Sequence, residues 1–291
     1  MGKKKVGQFI FPTGTQTEQI EQAFKLLSLD ACSASFRILV DRVQTDHGTF
    51  YDLLQALLEM EFAQKEDGRI ARWVQQAKFA EPPMGLKDYD FSEQPSIDPV
   101  QIHELASCRF IEEGKNVMFF GAPGVGKTHL SCALALEAIS RGFEARFMRL
   151  NDFIIEAEKP DDSNILRLQR ALISPRLLIM DDIDYYKTSD EAAAFLFDVI
   201  KQRYEDKSST IITSNKNPKE WTLFGGDKER KNAAYDRLFD RQRAVIINIS
   251  GGRSHRVSGS LQDPHGTHEP TTPTVIATKP TGFTRFKKVF R

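Results

Sequence analysis

Gly121-Ala122-Pro123-Gly124-Val125-Gly126-Lys127-Thr128 is the stretch from which the rest of the chain can be read. It satisfies G-x-x-x-x-G-K-[ST], with an apolar run (117–120) before it and a helical pattern (128–140) behind it. A loop of this kind, closing a strand and opening a helix, turns its backbone N–H groups toward phosphate oxygens. Glycine allows the close approach and the φ angles involved, and the helix N-terminus adds a favourable dipole. A random chain of this length matches the pattern about once in a hundred. The reading is therefore a nucleotide cradle over 121–128, with His129 beside it on the helix. Lys127 is expected to reach the β- and γ-phosphates, and the Thr128 hydroxyl to hold Mg²⁺.

Working outward, short apolar or β-branched runs recur at 117–120, 145–148, 177–180, 210–213 and 245–249, with helical patterns at 128–140, 151–158, 191–204 and 233–239 between them. Strands of this composition alternating with helices predict an α/β fold, a parallel sheet buried on both faces under helices. The third run ends in Asp181-Asp182. The first acid at such a strand end suits the Mg²⁺ shell, and the second can polarise an attacking water. An ordinary acidic turn is the alternative, with more force for Asp182, since many proteins with this arrangement carry glutamate there. The fourth run ends in Asn215, an amide placed to sit between the γ-phosphate and the water at the carboxyl ends of the strands. Asn215-Lys216 is followed by Asn217-Pro218 rather than x-Asp, and no D-x-x-G follows Asp181, so GTP is disfavoured. No L-S-G-G-Q-type signature or substrate lid points to a transporter ATPase or a small-molecule kinase. Arg237, Arg241 and Arg243 cluster at a helix end before the last run. They can favour the helix dipole, or one of them can reach a neighbouring subunit's nucleotide.

The flanks differ from this centre. Residues 15 to about 80 read helical: Thr49 with Asp52 makes a capping-box start, and Phe50, Leu53, Leu54, Leu57 and Leu58 fall on one helix face. A second helical stretch carries Ile70, Trp73, Val74 and Ala77, with Arg69, Arg72 and Lys78 around it as candidate DNA contacts or as a solvated face. Pro82-Pro83 opens a linker to Ser96, and Asp98-Pro99 caps a helix that Gly114 stops. Residues 257–291 are rich in Ser, Thr, Pro and Gly and are expected to be a disordered basic tail. The expected organisation is a helical domain at 1–80, an ATPase domain at 81–256 and the tail at 257–291.

Over 291 residues, 40 Lys+Arg balance 40 Asp+Glu, which excludes a uniformly basic nucleic-acid coat. From Gly251 onward seven basic residues meet two acidic ones, so the net +5 there leaves −5 on residues 1–250. Three widely spaced cysteines, no run of 18 apolar residues and no apolar segment behind Lys3-Lys4-Lys5 predict a cytoplasmic protein with no membrane span.

Taken together, these residues resemble the IstB/DnaC-like AAA+ ATPases, and most closely the IstB helper ATPases of insertion-sequence transposition. The resemblance covers about 18–256 and rests on several segments. They are Arg69-Ile70-Ala71-Arg72-Trp73, the linker Leu86-Lys87-Asp88-Tyr89-Asp90-Phe91, the phosphate loop, Asp181-Asp182, Ile212-Thr213-Ser214-Asn215 with Glu220-Trp221, Asp236-Arg237-Leu238, and Gly252-Arg253-Ser254-His255-Arg256. It implies a P-loop AAA+ (ASCE) sheet behind a small all-helical domain, with ATP and Mg²⁺ as cofactors. It further implies Asn215 as sensor 1, Arg237 as arginine finger, Arg256 as a sensor-2 nucleotide contact, and Phe91 as an adenine-stacking or core residue. As partners it implies a homo-oligomer formed with ATP, double-stranded DNA bound largely without sequence preference, and a transposase recruited or activated there. A DnaC-like helicase loader on single-stranded DNA is the alternative within the same resemblance. The tail past Arg256 departs from the pattern. It is either an arm with Phe286 and Phe290 among cations, or sequence added by a shifted stop codon.

Overall fold

The structure, a computed structural model, describes residues 15–159, 162–183, 188–224 and 226–250. The expectations placed on Arg256 and on the 257–291 tail lie outside these residues. Two compact units divide between Arg69 and Ile70.

The first unit is helical, as the sequence predicts. It contains α1 (Gln16–Leu26), α2 (Asp30–Thr45) and the opening turns of α3 (Phe50–Ala77). Thr15 and Glu18 form a capping box on α1, and the Thr49 hydroxyl and N–H both donate to Asp52 at 2.7 Å before α3. Cys32, Phe36, Leu39, Ala56 and Leu57 make its core. Glu61 is buried beside them, accepting the Cys32 N–H at 3.1 Å. The expected apolar face of α3 does not turn inward as one. Leu57 is buried, while Phe50, Leu54 and Leu58 stay exposed together with Tyr51 and Phe62. Five apolar residues at this spacing cover more than 100° of the helix, wider than a contact with α2 can bury. Nor is 70–77 a separate helix: α3 continues through Gly68, which costs it only about 1 kcal/mol relative to alanine.

Among the described residues the second unit is built on five parallel strands in the order β2-β3-β4-β1-β5. They are β1 (Asn116–Gly121), β2 (Ala145–Arg149), β3 (Leu177–Asp181), β4 (Ser209–Ser214) and β5 (Ala244–Ile249). All five apolar runs are strands, each extended by one or two residues, polar at β1 (Asn116), β2 (Arg149), β3 (Asp181) and β4 (Ser209, Ser214). In the middle of the sheet Val117, Met118, Phe119, Leu177, Ile179 and Ile211 are fully buried, as continuous apolar runs require. The expectation of burial on both faces fails at β5. It is an edge strand whose Ile247 and Ile249 face the core while Ile246 and Asn248 face out.

Helices α4 (Pro99–Ala106), α5 (Arg109–Glu112), α6 (Lys127–Ser140), α7 (Leu150–Ala157), α8 (Asp162–Ile173), α9 (Asp190–Glu205) and α10 (Lys228–Leu238) surround the sheet. Their buried residues fall into two core clusters, one on each side of it. Asp98 caps α4, but the helix breaks at Cys108 (φ +63) before Gly114 ends the segment. Sequence periodicity misses α8, although Ile165, Leu168 and Leu172 share a face, and starts α10 late because Lys228-Glu229-Arg230-Lys231 carries no apolar signal. Below the sheet, the fully buried Arg203 donates to the carbonyls of Leu172, Pro175 and Ser209 and to the Thr210 hydroxyl, and burial pulls its guanidinium down to about 9. Among the described residues no helix is long and apolar enough to cross a membrane. Cys32, Cys108 and Cys132 are buried free thiols.

Candidate functional site

β1 stands between β4 and β5 while the next strand in the chain, β2, lies at the far edge, so a crevice opens at its carboxyl end, where a nested α/β sheet takes its ligand. The glycine loop bridges from β1 into α6 at this point. Gly124 (φ +83) and Gly126 (φ +91) occupy the left-handed region, and a Cβ on Gly126 would stand 2.7 Å from the Tyr89 ring.

Residues at the ends of three strands, β1, β3 and β4, meet around the loop. The Lys127 ammonium donates to the carbonyls of Gly121 (2.9 Å) and Ala122 (2.8 Å) and to Asn215 Oδ1 (2.6 Å). Thr128 Oγ1 donates to Asp181 Oδ1 at 2.8 Å, and Thr213 Oγ1 donates to the same oxygen at 2.6 Å. Burial, reinforced by the neighbouring Asp182, raises the Asp181 carboxyl above its ordinary value despite these two hydroxyls. Asp182 has φ +54 and is held by its N–H to Thr213 Oγ1 at 2.9 Å. Trp221 fixes the turn beyond β4, donating to Ser214 Oγ at 3.0 Å.

A cavity of about 780 Å³ opens over this constellation. Pro123, Gly124, Gly126, Lys127, Thr128 and His129 line one wall, and Asp182 and Asn215 another. The third wall is formed by Tyr89, from the linker segment 89–91, and of the two readings of Phe91, adenine-stacking or core, the structure has the second. The Tyr89 hydroxyl donates to the Val125 carbonyl at 3.2 Å, and the ring stands edge-on to His129 at 5.1 Å. Phe91 packs behind Tyr89 and beside His103, and serves the core. The linker also brings Glu81, Asp88, Asp90 and Glu93 to the rim, acids that no motif or spacing marks as site residues.

The chemistry of the donor set fits a Mg²⁺-nucleotide. Among the described residues no cluster of three or more His, Cys, Asp or Glu side chains could hold a metal alone. A hydroxyl and a single buried carboxylate suit Mg²⁺ that arrives with phosphate oxygens and water to complete its shell.

A model of the IstB-like ATP binding protein family matches residues 22–262. The chain belongs to this family. It is 32% identical over 235 residues, 80% of this chain and 92% of the other, to the insertion sequence IS5376 ATP-binding protein of Geobacillus stearothermophilus. It is 34% identical over 232 residues, 74% and 86%, to the insertion sequence IS21 ATP-binding protein of Pseudomonas aeruginosa. Among solved structures, AMPPCP-bound DnaA from Aquifex aeolicus superposes with TM-score 0.49 at 20% identity over 62% of this chain and 54% of that one. The sheet order and the phosphate loop of this IstB-like chain are those of a P-loop AAA+ domain.

The three arginines before β5 do not join the cavity. Arg237 donates to the Ala233 carbonyl at 2.6 Å and lies over the Phe197 ring, and Arg243 donates to the Tyr204 carbonyl at 2.9 Å and lies over that ring. Both line a small hollow with Asn116, Ser208 and Thr210, at the amino ends of β1 and β4. That is about 20 Å, six residues of strand, from the phosphate loop. Arg241 is exposed and lines a second cavity, about 860 Å³, beside Asn215, Lys216 and Tyr235. Arg69 pairs with Glu66 of its own helix, whereas Arg72 and Lys78 are exposed.

Proposed function

We propose that this IstB-like protein is a Mg²⁺-dependent ATPase that assembles on double-stranded DNA and serves insertion-sequence transposition by recruiting or activating a transposase. The observation that carries the ATPase reading is the meeting of Lys127, Thr128, Asp182 and Asn215 around one cavity, with Asp181 bonded behind Thr128. Bound there, ATP supplies the phosphoanhydride bond, and Mg²⁺ the charge that neutralises it. Lys127 would exchange its loop carbonyls for phosphate oxygens, and the loop residues other than Pro123 would supply N–H groups to the rest. Thr128 and Asp181 hold the cation. Asn215 positions the water from which Asp182 accepts a proton.

Support for the partners comes from elsewhere. The names of the relatives tie them to insertion sequences, which implies a transposase as the partner. Arg237 lies at the end of the sheet away from its own cavity. In that position it suits a neighbour's nucleotide and a head-to-tail homo-oligomer. The net +5 of residues 251–291 and Lys3, Lys4 and Lys5 leave −8 on residues 15–250, so contact with DNA phosphates is local and falls steeply with salt. Arg256 is carried as a nucleotide contact, and Arg72 and Lys78 as DNA contacts.

Mass photometry on random-sequence duplex and on single strands of equal length, with and without ATP, tests the reading. Large particles on duplex with ATP are expected, and Lys127→Ala should form none. Assembly indifferent to nucleotide, or confined to single strands, overturns it and favours a helicase loader.

A further inference from the structure

Thr213 is fully buried in β4, two residues before Asn215. Its hydroxyl donates to Asp181 Oδ1 at 2.6 Å and accepts the Asp182 N–H at 2.9 Å, and its carbonyl accepts the Ile183 N–H at 3.2 Å. The parallel pairing of β3 with β4 runs only to Met180 opposite Ile212. Beyond that point a threonine side chain does what the ladder did. It has two consequences. The Thr128 and Thr213 hydroxyls converge on one oxygen of Asp181, which fixes the rotation of that carboxylate. The bond to the Asp182 N–H steadies a left-handed backbone (φ +54), a conformation uncommon outside glycine though open to aspartate. That backbone places Asp182 on the cavity wall.

We propose that Thr213 is a positioning residue for the ATPase reaction, its one hydroxyl setting both the cation ligand Asp181 and the turn that presents Asp182. The inference rests on the ATPase reading above. A merely structural threonine would serve equally well as valine, which keeps the β-branched shape and loses the hydroxyl.

The test compares full-length Thr213→Val and Thr213→Ser with the wild-type chain in ATP hydrolysis across a Mg²⁺ titration. Binding of a fluorescent ATP analogue in EDTA is measured alongside. Thr213→Val should bind the analogue within about threefold of wild type, need about tenfold more Mg²⁺ for half-maximal turnover and lose about tenfold or more in kcat. Thr213→Ser should recover both kinetic quantities to within about threefold. A valine variant with wild-type Mg²⁺ dependence and kcat overturns the proposal, and so does a serine variant as impaired as valine. Should Thr213→Val not fold, Thr213→Cys, close in size to serine but a poor donor, decides in the same way. A wild-type chain that hydrolyses no ATP overturns the ATPase reading itself. An active wild type beside an indistinguishable Thr213→Val removes only the role of Thr213.

Discussion

The ammonium of Lys127 stands 2.6 Å from the side-chain oxygen of Asn215, across 88 residues of sequence. This contact, with the carbonyls of Gly121 and Ala122, compensates a buried positive charge and links the loop after β1 to the turn after β4. Phosphate oxygens are stronger acceptors for an ammonium than an amide oxygen, so nucleotide binding would draw Lys127 away and release Asn215 toward the water. Asn215→Ala should therefore leave ATP affinity within about threefold of wild type while lowering kcat by about a hundredfold, the loss expected for a group acting in the transition state. Isothermal titration and steady-state hydrolysis read the two quantities. A parallel fall in both would mean that Asn215 serves the loop rather than the reaction.

Asp181 is 1% exposed and its carboxyl is raised by burial, so its charged form costs stability until a cation meets it. Below the ordinary value of 3.8 the group is neutral in both folded and unfolded chains and the cost vanishes. As pH rises through the raised folded value, stability is lost. Asp181→Asn removes the charge and keeps an acceptor for Thr128 and Thr213. In nucleotide-free, Mg²⁺-free buffer at neutral pH it should melt roughly 2–4 °C higher than wild type, a gain of about 1 kcal/mol. The gain should shrink toward zero near pH 3.5 or below, and hydrolysis should be lost throughout. Differential scanning fluorimetry over pH checks the sign, and an Asn variant less stable at pH 7 refutes it.

The phosphate loop, the five strands and the meeting of Lys127, Asp181 and Asn215 are legible because chemistry and backbone conformation demand particular residues at fixed spacing. Gly124 and Gly126 need positive φ, and the strand ends must be polar where they emerge from an apolar sheet. Only the resemblance carried by the linker 86–91 points toward Tyr89, because this residue reaches the loop by tertiary packing from short 3₁₀ turns that carry no periodicity. Thr213 escapes sequence reading because a threonine in a β-branched run reads as a strand former, and its hydroxyl matters only once Asp181 lies beside it. The exposed face of α3 escapes too: apolar spacing shows that a face exists, not what covers it.

Tyr89 and Gly126 make a second pair whose fit can be broken deliberately. An alanine Cβ at 126 would stand 2.7 Å from the Tyr89 ring and would sit on a backbone with φ +91. The two faults separate by mutation. Gly126→Ala should weaken ATP binding by about a hundredfold, from a clash and a strain of about 1–3 kcal/mol together. Adding Tyr89→Ala removes the clash but not the strain, so the double variant should recover only part of the loss. Full recovery would show that the φ angle is not a constraint. Tyr89→Phe, which gives up the bond to the Val125 carbonyl, should cost only about 1 kcal/mol of stability.

Arg237 offers a test of how subunits share a site. Its guanidinium is bonded to Ala233, over Phe197, at the opposite end of β1 from the chain's own cavity. Arg237→Ala should bind ATP normally and lose about a thousandfold in DNA-stimulated turnover, the scale of an arginine supplied between subunits. Lys127→Ala is inactive for the converse reason, since it keeps the arginine and lacks the cradle. Mixed in equal amounts, the two variants place an intact cradle next to an intact arginine wherever ATP-bound Arg237→Ala meets a Lys127→Ala neighbour, so part of the turnover should return. No recovery would assign Arg237 to its own subunit. The exposed Arg241, beside Asn215 in the second cavity, is the control. If Arg241→Ala abolishes turnover and is rescued by Lys127→Ala while Arg237→Ala stays active, the trans-acting cation is Arg241, and the stacked Arg237 belongs to the packing of α10 on α9.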